Sequence, residues 1–184
     1  IWNRKGLKHQ LFVAGELSGL VCLVEGEKDC INLNRLGYNA ASGEDGAGPG
    51  KWRKEYTAEL AGLPVVIFQD NDDVGRADAQ EVAAALHGVA ASVRVIDLSR
   101  VWADIPEHGD VSDLIAQFGD ETAREYITQL VQSTPEWIPD VDIRPADYSD
   151  AANADVFAAV HANDLIYTDA LGWLWWNGKR WERD

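Results

Sequence analysis

The chain is poor in the residues that build disulfides and transition-metal sites. It holds only two cysteines, Cys22 and Cys30, and nothing at zinc-binding spacing. A disulfide framework and a zinc ribbon are therefore excluded, and both thiols read as small buried hydrophobes. The four histidines, His9, His87, His108 and His161, are scattered along the chain, which argues against a histidine-built metal site. No apolar run approaches the roughly 20 residues that cross a bilayer, and the opening IWNRKGLKHQ lacks the apolar segment of a secretion signal. The expectation is a cytoplasmic protein with no membrane partner. Its first residue is Ile rather than Met, so an excerpt of a longer polypeptide is expected.

Positive charge is also scarce. Sixteen Lys and Arg face 31 Asp and Glu, for a net charge of −15. The imbalance is local: residues 1–60 carry eight of each sign, and residues 61–184 carry eight positive against 23 negative. Affinity for duplex DNA comes mainly from neutralising phosphates, so this is no generic duplex binder. Any work on nucleotides or nucleic acid must run through metal ions and local basic patches.

What is present is organised around VVIFQDNDDVG, residues 65–75. A short apolar, β-branched run bounded by turn residues suits a strand buried on both faces, as in parallel sheets covered by helices. Asp70, Asp72 and Asp73 follow at its carboxyl end, the edge where open α/β sheets bind ligands. Adjacent like charges call for a hard divalent cation such as Mg²⁺, or else for a solvated acidic turn that caps the next helix. Upstream, LVCLV at 20–24 is a second buried strand ending in Glu25-Gly26, and the apolar stripe of Cys30, Ile31, Leu33 and Leu36 marks a helix over 27–36 that Gly37 ends. A short strand at 38–41, a glycine-rich loop at 42–50, a helix at 51–60, an Ala-rich helix at 75–86 and a strand at 92–98 complete a βαβ series and a parallel sheet of about four strands. Two helices follow, at 110–118 and 121–131. Residues 1–19 give no strong signal.

Three prolines and alternating acids make 134–150 an expected linker. Beyond it, a helix over 153–162 and strands joined by an Asn177-Gly178 turn form a small α+β or hairpin fragment rich in tryptophan. Four indoles, Trp173, Trp175, Trp176 and Trp181, exceed what so small a unit can bury, so this looks like the start of a larger domain.

In a parallel sheet Glu25, the Asp70/Asp72 pair and the acids of DVSD at 110–113 all fall on one edge. A carboxylate acting as acid or base beside a metal-holding pair is what phosphoryl chemistry on nucleotides uses. Lys28 and Asp29 stack on the same helical face as Glu25, where Lys28 could meet a phosphate and Asp29 orient a partner. The loop SGEDGAGPGKW is not a P-loop, because Asp45 and Trp52 stand where that motif needs Gly and Ser or Thr. Its backbone N–H groups, with Lys51, Arg53 and Lys54, still suit a phosphate or a nucleic-acid strand. An EF-hand reading of 70–81 fails on Val74 and on the preceding strand.

LVEGEKD at 23–29, GAGPGKW at 46–52, FQDNDDVGRADA at 68–79 and GDVSDLI at 109–115 together resemble the Toprim family, the catalytic module shared by DnaG-type primases, type IA and II topoisomerases, OLD-type nucleases and RecR-type repair proteins. More narrowly, they are similar to the Toprim segment of phage and plasmid primase-helicases, over about residues 20–133. GWLWWNGKRWERD is similar to the start of the domain preceding the helicase in phage D5-like and P4-like replication proteins, which assigns 151–184. The resemblance implies a Rossmann-like Toprim fold and nucleotidyl transfer for primer synthesis. It implies Glu25 as catalytic acid or base; Asp70, Asp72 and Asp110 as ligands of Mg²⁺ or Mn²⁺; Lys28, Lys51, Arg53 and Arg76 as nucleotide or nucleic-acid contacts; and Gly26, Asp29 and Asp113 as supporting residues. Implied partners are nucleoside triphosphates, a single-stranded DNA template and a helicase domain or subunit, in a bacterial, phage or mobile-element setting. The zinc-binding and basic regions such primases carry upstream are missing, so this fragment alone is expected to be incomplete. Gln69, Asp45 and Pro49 depart from the common pattern but remove no carboxylate. The competing expectations are a metal-dependent nuclease on the same scaffold and a non-catalytic replication or repair module.

Overall fold

The computed structural model describes residues 9–44, 46, 48, 50–139, 149–161, 164–177 and 179–183. The chain divides into two compact units, Ile1–Ile138 and Pro139–Asp184.

In the first unit, β2 (Val21–Leu23), β3 (Asn39–Ser42), β4 (Pro64–Phe68) and β5 (Ser92–Ile96) are mutually parallel. A fifth strand, β1 (Phe12–Ala14), joins the edge antiparallel to β3, giving the order β1-β3-β2-β4-β5. It lies in the stretch that carried no sequence signal. Three half-buried residues are too few for an alternation to show, and β1 exists by virtue of the open edge it pairs with.

Side chains alternate across the sheet because the strand period is two. Cys22, Val24, Ala40, Val66, Phe68 and Ile96 point into one core, shared with α1 (Glu27–Arg35) and α4 (Val111–Ser133). Val21, Leu23, Ala41, Val65, Ile67 and Val93 point into the other, under α2 (Lys54–Glu59) and α3 (Asp73–Leu86). Burial on both faces is why these strands read as unbroken apolar runs. Helix α1 stops where Gly37 takes φ 93°, a conformation that favours glycine. The two helices expected over 110–131 form one element, α4, broken at Gly119, whose φ of 79° and ψ of 166° are not helical. Arg35 pairs with Asp120 just past that break.

The chain leaves β2 toward β3 on one side, then crosses back to β4 and β5 on the other. The carboxyl ends of β2 and β4 therefore flank the point where the winding reverses, the crevice in which sheets of this kind hold ligands.

The first residues of the expected linker pack on this unit. The Trp137 N–H donates to the Val93 carbonyl at 2.7 Å, its indole N–H donates to Gln80 Oε1 at 2.7 Å, and its ring meets His87 edge-on. The rest of that linker, residues 140–148, lies outside the described residues, as do Asp45, Pro49 and Gly178 of the expected turn.

The second unit contains α5 (Asp150–His161) and an antiparallel sheet of β6 (Leu165–Thr168), β7 (Gly172–Trp176) and β8 (Trp181–Arg183), in that order. Cross-strand ring pairs hold it: Tyr167 with Trp173 and Trp176 with Trp181, each at 5.4 Å. All four indoles stay partly exposed, from 38% at Trp181 to 50% at Trp173. Among the described residues no helix is long and apolar enough to cross a membrane.

Candidate functional site

Register brings the first two carboxylates together. Leu23 on β2 pairs with Ile67 on β4, so Glu25 and Asp70 emerge two and three residues later on neighbouring strand ends. The Asp70 carboxyl is hydrogen-bonded to that of Glu25 and is pushed up to about 8. Burial is the main cause, followed by the Glu25 contact and by the negative charges of Asp110 and Asp29. Gly75, at the start of α3, lets the helix back directly onto this aspartate: a Cβ there would lie 2.8 Å from Asp70 Cβ and 3.0 Å from its carbonyl oxygen.

Asp110 arrives from the loop after β5. It caps α4 through a capping box in which Asp110 Oδ1 accepts the Asp113 N–H at 2.7 Å and Asp113 Oδ2 accepts the Asp110 N–H at 3.3 Å. Its other oxygen faces Lys28 Nζ at 3.6 Å. Asp29, buried in the first turn of α1, accepts a hydrogen bond from the Ser112 hydroxyl, which in turn accepts from Asn32 Nδ2 at 2.8 Å. Burial raises the Asp29 carboxyl above its usual range, opposed by the Ser112 bond and reinforced by the charge of Asp110. Gly26 leaves room for Asp29, whose Oδ2 lies 3.3 Å from where a Cβ would stand.

Asp72 is placed differently from Asp70. Its Oδ1 accepts the Gly75 N–H at 2.7 Å and so caps α3, and its Oδ2 lies 2.5 Å from His108 Nδ1. The Gly75 bond and then His108 hold Asp72 below the usual carboxylate range, while Asp72 raises His108. Both of its oxygens have a partner within the protein, and each keeps a second lone pair. Asp72 therefore caps α3, as the acidic-turn alternative expected of an aspartate here, without giving up the oxygens that the metal-ligand expectation needs.

Asn71, unremarked in the sequence, ties two loops together. Its Nδ2 donates to the carbonyls of Ile105 at 3.1 Å and Pro106 at 2.9 Å, its N–H donates to Gly109 at 3.0 Å, and its carbonyl accepts from His108 at 3.1 Å. The loop carrying Asp110 is thereby fixed to the one carrying Asp70. An uncharged residue between two aspartates was the available signal.

The basic residues are less gathered. Arg76 turns to Asp73 at 2.8 Å and to Asn71 Oδ1 at 3.4 Å. Arg53 stands at the N-cap of α2. The glycine loop folds back on α3, where Asp78 accepts the Gly48 N–H at 2.8 Å and Glu81 accepts the Gly50 N–H at 3.2 Å. Burial pushes Asp78 upward, against the charge of Lys51 beside it. Lys51, Trp52, Tyr56 and Asp78 line a cavity with Glu25 and Asp70.

No family model matches the chain, and no curated protein matches it significantly. Among solved structures it is similar to a crystal structure of the Aquifex aeolicus primase comprising zinc-binding and RNA polymerase domains. Identity is 26% and the TM-score 0.49, over 65% of this chain and 27% of that one.

Among the described residues, no three His, Cys, Asp or Glu side chains already stand at metal-cage spacing. The donor chemistry nonetheless fits a hard divalent ion. Glu25, Asp70, Asp72 and Asp110 offer only oxygens, and Asp70 is pushed up first by burial and then by the carboxylates around it.

Proposed function

We propose that this chain is the Toprim module of a DNA primase, contributing metal-dependent nucleotidyl transfer to primer synthesis. The observation that carries the reading is the meeting of Glu25 and Asp70, with the charges of Asp110 and Asp29 acting on Asp70, at the reversal point of a parallel sheet. Mg²⁺ or Mn²⁺ would be held by Asp70, Asp72 and Asp110 with Glu25 beside them, and when bound it neutralises phosphate oxygens and positions the attacking and leaving oxygens. Lys28, exposed and 3.6 Å from Asp110, would meet a triphosphate bound there. Asp29 and Ser112 hold the first turns of α1 and α4 in register, so the groups those turns carry stay aligned. Glu25, already in hydrogen-bond contact with a protonated neighbour, is the residue to hold or pass a proton. Nucleoside triphosphates, a single-stranded DNA template and a helicase domain or subunit are the partners that go with this reading.

The test is incorporation of labelled nucleotide on single-stranded DNA by the full-length protein with Mg²⁺ or Mn²⁺. Asp70→Asn and Glu25→Gln are each expected to lower the rate by about 100-fold or more. Incorporation that survives Asp70→Asn refutes the mechanism, and nicking of DNA with Mn²⁺ and no nucleotide makes the protein a nuclease instead.

A further inference from the structure

Residues 139–175 carry seven Asp and one Arg, whereas residues 176–183 carry Lys179, Arg180 and Arg183 against Glu182 alone. The positive charge of this acidic stretch is therefore gathered in the β7–β8 hairpin. Register sorts the rings around it. Trp176 lies directly opposite Trp181, and Leu174 opposite Arg183, so these four share one face of the sheet. Trp173 and Trp175 take the other face, opposite Tyr167 and Glu182, and Phe157 of α5 meets the Trp173 ring there at 6.1 Å. One face thus pairs indoles with a cation, and the other sets an indole against an acid. Trp176 and Trp181 stand 5.4 Å apart at an interplanar angle of 57°, so neither ring closes face to face on its partner, and they are 39% and 38% exposed. The turn between them is held by Asn177. Its Oδ1 accepts the N–H groups of Lys179 and Arg180, each at 2.9 Å, and its own N–H donates to the Arg180 carbonyl at 3.1 Å. Lys179 and Arg183 are exposed, while Arg180 turns to Glu182 at 3.0 Å. Fixed indoles with open faces beside cations suit an unpaired nucleic-acid strand, whose bases stack on the rings while its phosphates meet the charges. A duplex has its bases already stacked, and a protein partner would need the rings but not the positive charge.

We infer that the β7–β8 hairpin is a docking surface for single-stranded DNA, with Trp176 and Trp181 stacking on bases and Lys179 and Arg183 meeting the phosphates. The choice of DNA over RNA rests on the primase reading above, whereas the surface itself rests on the hairpin alone.

Fluorescence anisotropy of a labelled oligothymidine titrated with the full chain tests it. Trp176→Ala and Trp181→Ala are each expected to weaken binding about tenfold. Trp181→Phe, which keeps a ring, should retain most of the affinity, and Trp175→Ala, on the opposite face, all of it. Lys179→Ala and Arg183→Ala change exposed side chains and spare the indole pair; each should take about 0.7 off the slope of log affinity against log salt. Binding that is absent, that is unchanged in Trp176→Ala and Trp181→Ala, or that falls equally in Trp175→Ala overturns the assignment. Oligouridine bound more tightly than oligothymidine overturns the choice of DNA. Self-association that Trp181→Ala abolishes, without strand binding, makes the face a protein interface instead. Nucleotide incorporation that persists when the hairpin binds no strand leaves the primase reading standing, and strand binding by a protein that incorporates nothing leaves the hairpin standing without it.

Discussion

At the scale of single residues, Asp70 carries the largest electrostatic burden in the site. The folded chain holds its proton to about pH 8, whereas an unfolded chain releases it near 3.8. Between those values the native state binds more protons, so rising pH costs stability across that window. Asp70→Asn removes the cost. Its melting temperature in chelator is expected to exceed that of the unaltered chain by about 2–4 °C at pH 8.5, partial exposure having trimmed the effect, and to match it near pH 4. Millimolar Mg²⁺ or Mn²⁺ should reverse the order, since only the aspartate gains from the ion. A difference that ignores pH would show that Asp70 is not frustrated. Gly75 offers a second reading of the same position. Gly75→Ala puts a methyl group 2.8 Å from Asp70 Cβ, so it is expected to lose about 1–3 kcal/mol of stability and most of the metal-induced rise in melting temperature.

At the scale of elements, the site depends on two loops that the sheet alone does not align. The β4–α3 and β5–α4 connections are fastened by Asn71, and the starts of α1 and α4 by Asp29 and Ser112. Asn71→Ala removes the side-chain donor to both carbonyls, leaving that of Ile105 to solvent and that of Pro106 with the Gly109 N–H. The expected loss is about 1–2 kcal/mol. Amide exchange should quicken at His108 and Gly109 while β4 and β5 stay protected; unchanged exchange there would mean that the main-chain bonds suffice. In the glycine loop, expected to offer N–H groups to a phosphate or a strand, those of Gly48 and Gly50 are hydrogen-bonded to carboxylates of α3.

At the scale of the whole molecule, every residue of the carboxylate site lies in the unit ending at Ile138. Residues 1–138 alone are therefore expected to unfold cooperatively and to keep the Mn²⁺-dependent rise in melting temperature. Loss of that rise on removing 139–184 would show that the second unit completes the site. A chain of net charge −15 is also expected to leave duplex DNA unbound at 0.15 M salt, measured by fluorescence anisotropy. Tight duplex binding would overturn the argument from charge.

The parallel strands and most helices were legible because they are buried: runs such as VVIF and LVCLV have no other stable place, and Gly37 marks a helix end through its backbone freedom. The carboxyl ends of those strands located Glu25 and Asp70 by topology alone. Three-dimensional packing decided what local pattern does not encode. It recruited β1 to an open edge and turned Asp72 from Asp70 toward His108. It gave Asn71 its partners 34 and 35 residues away. Burial is written in composition and period, whereas the direction of a side chain at a strand end depends on neighbours that only the folded chain supplies.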